Sequence, residues 1–288
     1  MGTVNDDYPT KAKKQMSDAD LKAKAIAQYE ADEITEKVKD HKFPTEIIEL
    51  PSKGKFYPKG HSLSSGKIEM KYMTAKEEDI LTNQSYIKSG VVLDKLFQSL
   101  IVSPVDYNDL LIGDKNAIMI AARILGYGKE YTIEVTTPSG NTQSVDVDLT
   151  KLDDKDIDWN AIKDNEQEIS ISLPASKRTV TLTLTTHGLQ KKMDRENQGL
   201  KKLKKDASVT TMLKHIITAV DGETDTKSIR HFVDNELFAI DSRHIRKEIK
   251  KVTPDVDMSI DCIDEEDGEP FRSNFSIGLD FFWPDVEV

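Results

Sequence analysis

The chain has 288 residues, a formal net charge of -11 and a single cysteine, Cys262. This length is enough for two domains of ordinary size. The acidic balance argues against a broad duplex-DNA footprint, which needs clustered positive charge. One cysteine excludes a disulfide framework or a four-cysteine zinc site within the chain, and no apolar run approaches the roughly 20 residues of a membrane span. We therefore expect a protein made in a reducing cytoplasm, with no nucleic acid and no membrane among its partners.

Residues 1–44 are predicted to form a flexible N-terminal arm that contains a charged helix. The composition of residues 1–15 is typical of disorder, because few side chains are apolar. Ser17 and Asp20 then make a capping-box-like start to a helix that runs to about Lys39, with a thin apolar stripe. Two interpretations stay open: a solvated helix, or an arm that orders against a partner.

The first module is predicted over residues 45–152. It begins with a segment to Pro58 that lies along a sheet edge, because Pro51 and Pro58 lack the N–H that a central strand needs. Apolar residues then alternate over 68–72 as in a strand, and recur at spacings of three and four over 93–101 as in a helix. A very apolar helix follows, ended by Gly126 and Gly128, and an antiparallel hairpin closes the module.

The second module is predicted over residues 168–288, after an acidic connector at 153–167. A hairpin over 169–184 turns at Pro174-Ala175-Ser176-Lys177. One helical face spans Met212 to Val220, and another helix carries Ile245, Ile249 and Val252. The closing hairpin is expected to pair Met258, Ile260 and Cys262 with Phe275, Ile277, Leu279 and Phe281.

The two modules share one register. A constant shift lays Asp114 on Asp241, Ile118 on Ile245, and Tyr131, Ile133 and Val135 on Met258, Ile260 and Cys262. Either the chain is duplicated or the match is coincidence, since alternation recurs in any strand. We predict an α+β fold of two similar modules, each an antiparallel β-hairpin sheet packed on amphipathic helices, after the N-terminal arm.

No motif for catalysis, a cofactor or a metal is complete. The glycines around Lys53-Gly54-Lys55 and Gly66-Lys67 lack the spacing of a phosphate loop. Asp154, Asp156 and Asp158 resemble the start of a calcium loop, but Trp159 stands where its glycine belongs. Cys262 lies on the inward phase of a strand, as a small core residue does. We therefore expect no enzymatic activity, no cofactor and no metal.

Charge and aromatic residues suggest two further surfaces. Residues 187–206 are basic and the segment from Asp255 onward is acidic. These segments are either solvated or complementary docking surfaces. Near the end of the chain, Phe281 to Pro284 either covers the end of the sheet or forms an exposed aromatic anchor at an interface.

Four segments carry a resemblance to a known family: Leu50–Gly54, Glu69–Leu81, Asp109–Lys115 and Arg123–Gly128. Together with the closing Asp280–Pro284, they resemble the baseplate hub and hub-assembly proteins of contractile-tailed phages of the T-even type. The resemblance covers roughly residues 45–288. Some relatives carry paired cysteines at the two hairpin tips as metal knuckles. It implies that here, where only Cys262 stands, the tips are held by turn chemistry alone.

The resemblance implies a structural or assembly component of a phage tail baseplate hub, with other baseplate or tail proteins as partners. The alternative is a transient assembly chaperone that is not retained in the virion, and a hydrolase with unrecognised carboxylates ranks third. We expect the protein in the host cytoplasm during assembly and then in the virion tail baseplate. The candidate interface residues are Leu50, Pro51, Ser52, Lys53, Gly54, Phe282, Trp283 and Pro284.

Overall fold

The computed structural model describes residues 43–162 and 166–282. The predicted N-terminal helix lies outside these residues. In the first module the elements are, in chain order, β1 (Thr45–Glu49), β2 (Lys67–Lys71), α1 (Ala75–Leu81), α2 (Gln84–Ser89), α3 (Val92–Leu100), α4 (Ile112–Tyr127), β3 (Glu130–Thr136) and β4 (Thr142–Asp148). Strands β1 and β2 pair antiparallel, and so do β3 and β4.

The second module repeats this order. Its elements are β5 (Glu168–Ser172), β6 (Thr179–Thr183), α5 (His187–Lys202), α6 (Ser208–Ile216), β7 (Ile217–Val220), α7 (Thr226–Asn235), α8 (Ala239–Val252), β8 (Ser259–Ile263) and β9 (Pro270–Asn274). In each module a hairpin leads into helices, then into a helix that begins near a buried aspartate, then into a second hairpin. The predicted α+β fold of two similar modules is confirmed.

Local sequence explains where several elements begin and end. Thr74 and Glu77 form a capping box at the start of α1. Helix α4 ends at Gly128, which has a φ of 89°, as the glycines predicted. The hairpin β5–β6 turns at Pro174 to Lys177, also as predicted.

Two predicted elements are wrong in part. The helix α6 ends at Ile216, and Ile217–Val220 forms strand β7 instead of continuing the helix, because it pairs with the open side of β6. Strand β9 covers Pro270–Asn274, so the predicted strand from Phe275 to Phe281 is absent there. A short 3-10 turn, Asp280–Phe282, buries two phenylalanines instead.

Most buried apolar side chains belong to a larger and a smaller core. The smaller core lies between the sheet β5–β6–β7 and helices of the second module. The larger core is built around α3 and α4, yet Leu184, Val256 and Phe281 are part of it. Residues from both predicted modules therefore share one core, while the predicted domain boundaries stay a prediction.

The modules are joined by a backbone contact that we call the module joint, formed by Leu110–Ile112 and Thr185–His187. The His187 N–H donates to the Leu110 oxygen at 2.7 Å, and the Ile112 N–H donates to the Thr185 oxygen at 3.1 Å. Beside it, Asp94 on α3 lies 3.1 Å from His187 Nε2 and 3.4 Å from Lys115 Nζ. These charged groups are largely buried and satisfy one another.

We expect Asp94→Asn to weaken the fold near neutral pH. Burial raises the pKa of Asp94, but the hydrogen bond from His187 and the charges of Lys115 and His187 outweigh it and lower the pKa to about 2. Because an unfolded aspartate titrates near 3.9, the stabilisation is present above about pH 4 and lost as the pH falls towards 2. The expected loss in the free energy of unfolding at pH 7 is about 2 kcal/mol.

Urea unfolding of wild type and variant from pH 7 down to pH 3 measures this. The two curves of stability against pH should converge in acid. The exposed Asp79→Asn is the matched control and should follow wild type throughout. A gap between wild type and Asp94→Asn that stays constant with pH would contradict the assignment.

Candidate protein-protein interface

The predicted interface segment Leu50–Gly54 forms a turn that is fixed to the first turn of α4. The Ser52 N–H donates to Asp114 Oδ1 at 2.9 Å, and the Tyr57 hydroxyl donates to Asp114 Oδ2 at 2.6 Å. Tyr57 also accepts a hydrogen bond from the Leu111 N–H at 3.0 Å. Asp114 is fully buried, and burial raises the pKa of its carboxyl group. One carboxylate therefore holds turn and helix together.

The second module repeats this anchor at the position that the shared register predicts. Asp241, at the start of α8, accepts hydrogen bonds from the Ala175 N–H at 2.8 Å and the Ser176 N–H at 3.0 Å. Burial raises the pKa of Asp241, but these hydrogen bonds outweigh it and lower the pKa overall. Lys53 and Lys177 have positive φ values of 52° and 60° in the two turns. The anchored turn is thus a shared feature of both modules.

The structure buries most of the candidate interface residues within the chain. Leu50, Pro51, Ser52 and Gly54 are buried, whereas Lys53 is exposed, with its Nζ 5.0 Å from the centre of the Trp159 ring. A side chain at Gly54, whose φ is 75°, would collide with the Ser64 backbone oxygen. These residues have an intramolecular role, and their role in an interface stays a prediction.

The aromatic end of the chain is divided in the same way. Phe281 and Phe282 are fully buried, with the Phe282 ring 5.9 Å from Phe97 and the Phe281 ring 4.7 Å from Tyr131. Trp283 and Pro284 lie outside the described residues. Whether this end also contacts a partner stays a prediction.

An open sheet edge lies directly before the anchored turn. In the described part of the chain, β1 pairs with β2 and with no other strand. The Leu50 N–H donates to the Gly66 oxygen at 2.8 Å, and the Tyr72 N–H donates to the Pro44 oxygen at 3.3 Å. Because hydrogen-bonded pairs alternate along an antiparallel ladder, these two bonds place the even-numbered residues of β1 in the bonded pairs.

The odd-numbered residues of β1 therefore direct their backbone groups away from β2. These residues are Thr45, Ile47 and Glu49. Ile47 is 66% exposed, which is unusual for an isoleucine on a strand. An edge with free N–H and C=O groups and an exposed apolar side chain is a template for pairing with another strand.

An apolar groove of about 470 Å³ lies between this edge and α4. Its apolar lining comes from β1, from α4 and from the segments after β4 and α8: Ile47, Ile48, Ala117, Ile120, Ala121, Ile124, Leu125, Leu149, Leu152 and Val256. Three carboxylates, Glu46, Glu49 and Asp154, stand along it. Burial raises the pKa of Asp154, and the charge of Lys53 opposes this shift. The groove is therefore apolar inside and acidic at its rim.

The sequence analysis did not find this groove. Its signals are the adjacent isoleucines Ile47 and Ile48 and the apolar residues all around α4, but periodicity alone does not tell which face of a helix stays open. The predicted sheet-edge segment is confirmed only for Thr45–Glu49, and turns follow it up to Tyr57.

The tips of the two closing hairpins contact each other. Ser139 donates to Asp264 Oδ2 at 2.7 Å, and Gln143 Nε2 donates to the Ile263 oxygen at 2.8 Å. Asn141 also donates to Glu266. The expectation that turn chemistry alone holds the tips is therefore wrong, because hydrogen bonds between the hairpins hold them too. Cys262 is buried, as predicted, and burial raises the pKa of its thiol.

Two searches of the structure concern other classes of site. Within residues 43–162 and 166–282, no three His, Cys, Asp or Glu side chains are grouped so that they could hold a metal ion. None of the helices in these ranges is long and apolar enough to cross a bilayer.

Comparison with known proteins agrees with the resemblance in the sequence. The family described as T4 bacteriophage base plate protein matches residues 42–271, most of the chain. Neither a curated protein nor a solved structure matches it. The match spans the β1 edge, both anchored turns and the module joint. The chain belongs to the T4 bacteriophage base plate protein family.

Proposed function

We propose that the chain is a non-enzymatic structural component of the base plate hub, and that it holds neighbouring base plate proteins through the β1 edge and the groove beside it. Membership of the family supports a role in the base plate and a location in the phage tail. The observation that carries the proposal is the open edge of β1 next to an apolar groove. Together they offer backbone hydrogen bonds and apolar contact to one binding segment.

The occupant is an extended segment of another base plate protein. Its backbone pairs with Thr45, Ile47 and Glu49, and its apolar side chains enter the groove. Lysine or arginine beside those apolar residues would face the rim carboxylates Glu46 and Asp154. The chemistry of the site thus selects an apolar strand with basic flanks.

We expect Ile47→Pro to disrupt base plate assembly without unfolding the chain. Proline at this position removes an N–H that points away from β2, so the β1–β2 ladder keeps its bonds. Loss of one backbone hydrogen bond and of the Ile47 side chain should weaken partner binding at least about tenfold, or roughly 1.4 kcal/mol. The measurement is the fraction of tails that carry a base plate, counted by electron microscopy in phage that carry the variant.

Ser170→Pro is the matched control, because Ser170 takes the place of Ile47 on β5 in the second module. Its backbone also points away from the neighbouring strand, since Leu173 and Leu184 take part in the bonds that flank the β5–β6 ladder. This variant should assemble like wild type, and circular dichroism should show both variants folded. Normal assembly with Ile47→Pro would refute the proposed site.

The second candidate function is a transient assembly chaperone, which the net charge of -11 suits equally. Mass spectrometry of purified virions separates the two functions. The structural function requires the chain in the finished particle. Its absence there, together with loss of base plates in phage that lack it, would leave the chaperone.

A further inference from the structure

The module joint has an uncovered counterpart at the far end of the second module. Within the chain, the start of α4 is covered: Leu111 is 2% exposed and forms an antiparallel bridge with Thr186. The register that lays Asp114 on Asp241 also lays Leu110–Ile112 on Leu237–Ala239. At this second position Phe238 is 56% exposed and Ile240 is 61% exposed. A surface that is buried in the first module is open in the second.

The other half of the joint has an open counterpart as well. Thr186 is the N-cap of α5, the helix after β6, and Thr74 takes the same place before α1, the helix after β2. The segment Thr185–His187 therefore corresponds to Met73–Ala75. Whereas His187 is buried, Ala75 is exposed. One chain thus carries both an unpaired donor half and an unpaired acceptor half.

The backbone groups that form the joint are also free at these counterparts. In the joint, the His187 N–H and the Thr185 oxygen bond to Leu110 and Ile112. Their counterparts are the Ala75 N–H and the Met73 oxygen on one side, and the Leu237 oxygen and the Ala239 N–H on the other. No hydrogen bond reaches these four groups from any residue that the structure describes.

Charge is complementary between the two open surfaces. On α8, Arg243 and Lys247 are exposed and follow Ile240 at spacings of three and four, so the three side chains share one stripe. On α1, Glu78 and Asp79 are exposed three and four residues after Ala75. The basic stripe and the acidic turn would meet if Ala75 approached Ala239. Opposite charges at these places favour this register over others.

We propose that a second copy of this chain docks its Met73–Ala75 corner onto Leu237–Ile240, and so repeats between chains the contact that joins the modules within one chain. Phe238 and Ile240 lose their exposure in this contact. The fit is wider than in the module joint: a side chain at Gly113 would collide with Pro254, whereas its counterpart Ile240 is large. Because the two surfaces differ, the association is head-to-tail and closes into a ring or stays open as a chain.

Sedimentation velocity of the full chain at about 0.1 mM tests this, with an expected dissociation constant on the order of 10 µM. Wild type should form species larger than a monomer, which shrink as salt is added. Phe238→Glu should abolish association by placing a carboxylate in the contact. Ala75→Pro should abolish it by removing the donor, and proline is well tolerated at the first position of a helix.

Mixing the two variants distinguishes this geometry from any other. Phe238→Glu keeps an intact corner and Ala75→Pro keeps an intact Phe238 surface, so an equimolar mixture should form dimers and stop there. The control Ile263→Glu, at another apolar residue that is 64% exposed, should associate like wild type. A monomeric wild type, a mixture without dimers, or equal loss in the control would overturn the proposal. An Ile47→Pro chain should still associate, so this test is independent of the β1 site.

Discussion

Replacing Asp114 with alanine should lower the free energy of unfolding by about 3–5 kcal/mol. The carboxylate accepts hydrogen bonds from the Ser52 N–H and the Tyr57 hydroxyl, and Asp114, Ser52 and Tyr57 are fully buried. Without it, both donors stay buried with no acceptor, and each costs about 1–3 kcal/mol. Urea unfolding followed by circular dichroism measures the loss.

Two variants serve as references for this experiment. Asp114→Asn keeps one acceptor oxygen and should lose less than Asp114→Ala. Asp109→Ala removes a half-exposed carboxylate that lies 3.2 Å from His61, and should cost less than about 1 kcal/mol. If Asp114→Ala costs no more than Asp109→Ala, the anchored turn is not a principal support of the first module.

Phe281→Ala should cost a similar amount, about 3–5 kcal/mol, because it leaves a large cavity in a packed core. The Phe281 ring is fully buried, and it meets Tyr131 at 4.7 Å and Phe282 at 5.5 Å between ring centres. Since Phe281 lies far along the chain from β3, its loss should also weaken the first module.

Hydrogen exchange read out by mass spectrometry checks where this loss occurs. Phe281→Ala should raise exchange in α3 and α4, which form the larger core with Phe281. Phe238→Ala is the control, because that ring is 56% exposed, and it should change stability by less than about 0.5 kcal/mol. Unchanged exchange in α3 and α4 would mean that the end of the chain does not support the first module.

The duplication could be predicted from the sequence because it rests on local signals. Asp114 and Asp241 fall in one register with the helices and hairpins that follow them, and strands and helices each have their own period. The aspartates turn out to perform the same task, since each accepts backbone N–H groups from the turn of the preceding hairpin. Periodicity reveals the repeat, whereas the bonds of the aspartates depend on tertiary packing.

The elements that were predicted wrongly lie where tertiary contacts override a local pattern. Met212, Leu213 and Ile216 share a helical face with Ile217 and Val220, but the open side of β6 takes Ile217–Val220 as a strand. Phe275 to Phe281 alternate like a strand, yet the ladder with β8 ends at Asn274. Pairing partners far away in the sequence decide both cases.

The candidate interface could be located only roughly. The sequence analysis selected Leu50–Gly54, which the structure largely buries, and the open surface is the strand just before it. Which backbone groups of β1 are free depends on the parity of its pairing with β2, and one residue of slip would exchange them. No composition or spacing contains that information.

Amide hydrogen exchange along β1, compared between the isolated chain and assembled base plates, tests the central claim most directly. In the isolated chain, Glu46 and Ile48 should be protected by β2, while Thr45, Ile47 and Glu49 should exchange fast. In the base plate, all five amides should be slow, because a neighbouring strand now pairs with the outer side. Fast exchange at Thr45, Ile47 and Glu49 within finished base plates would show that no partner binds there.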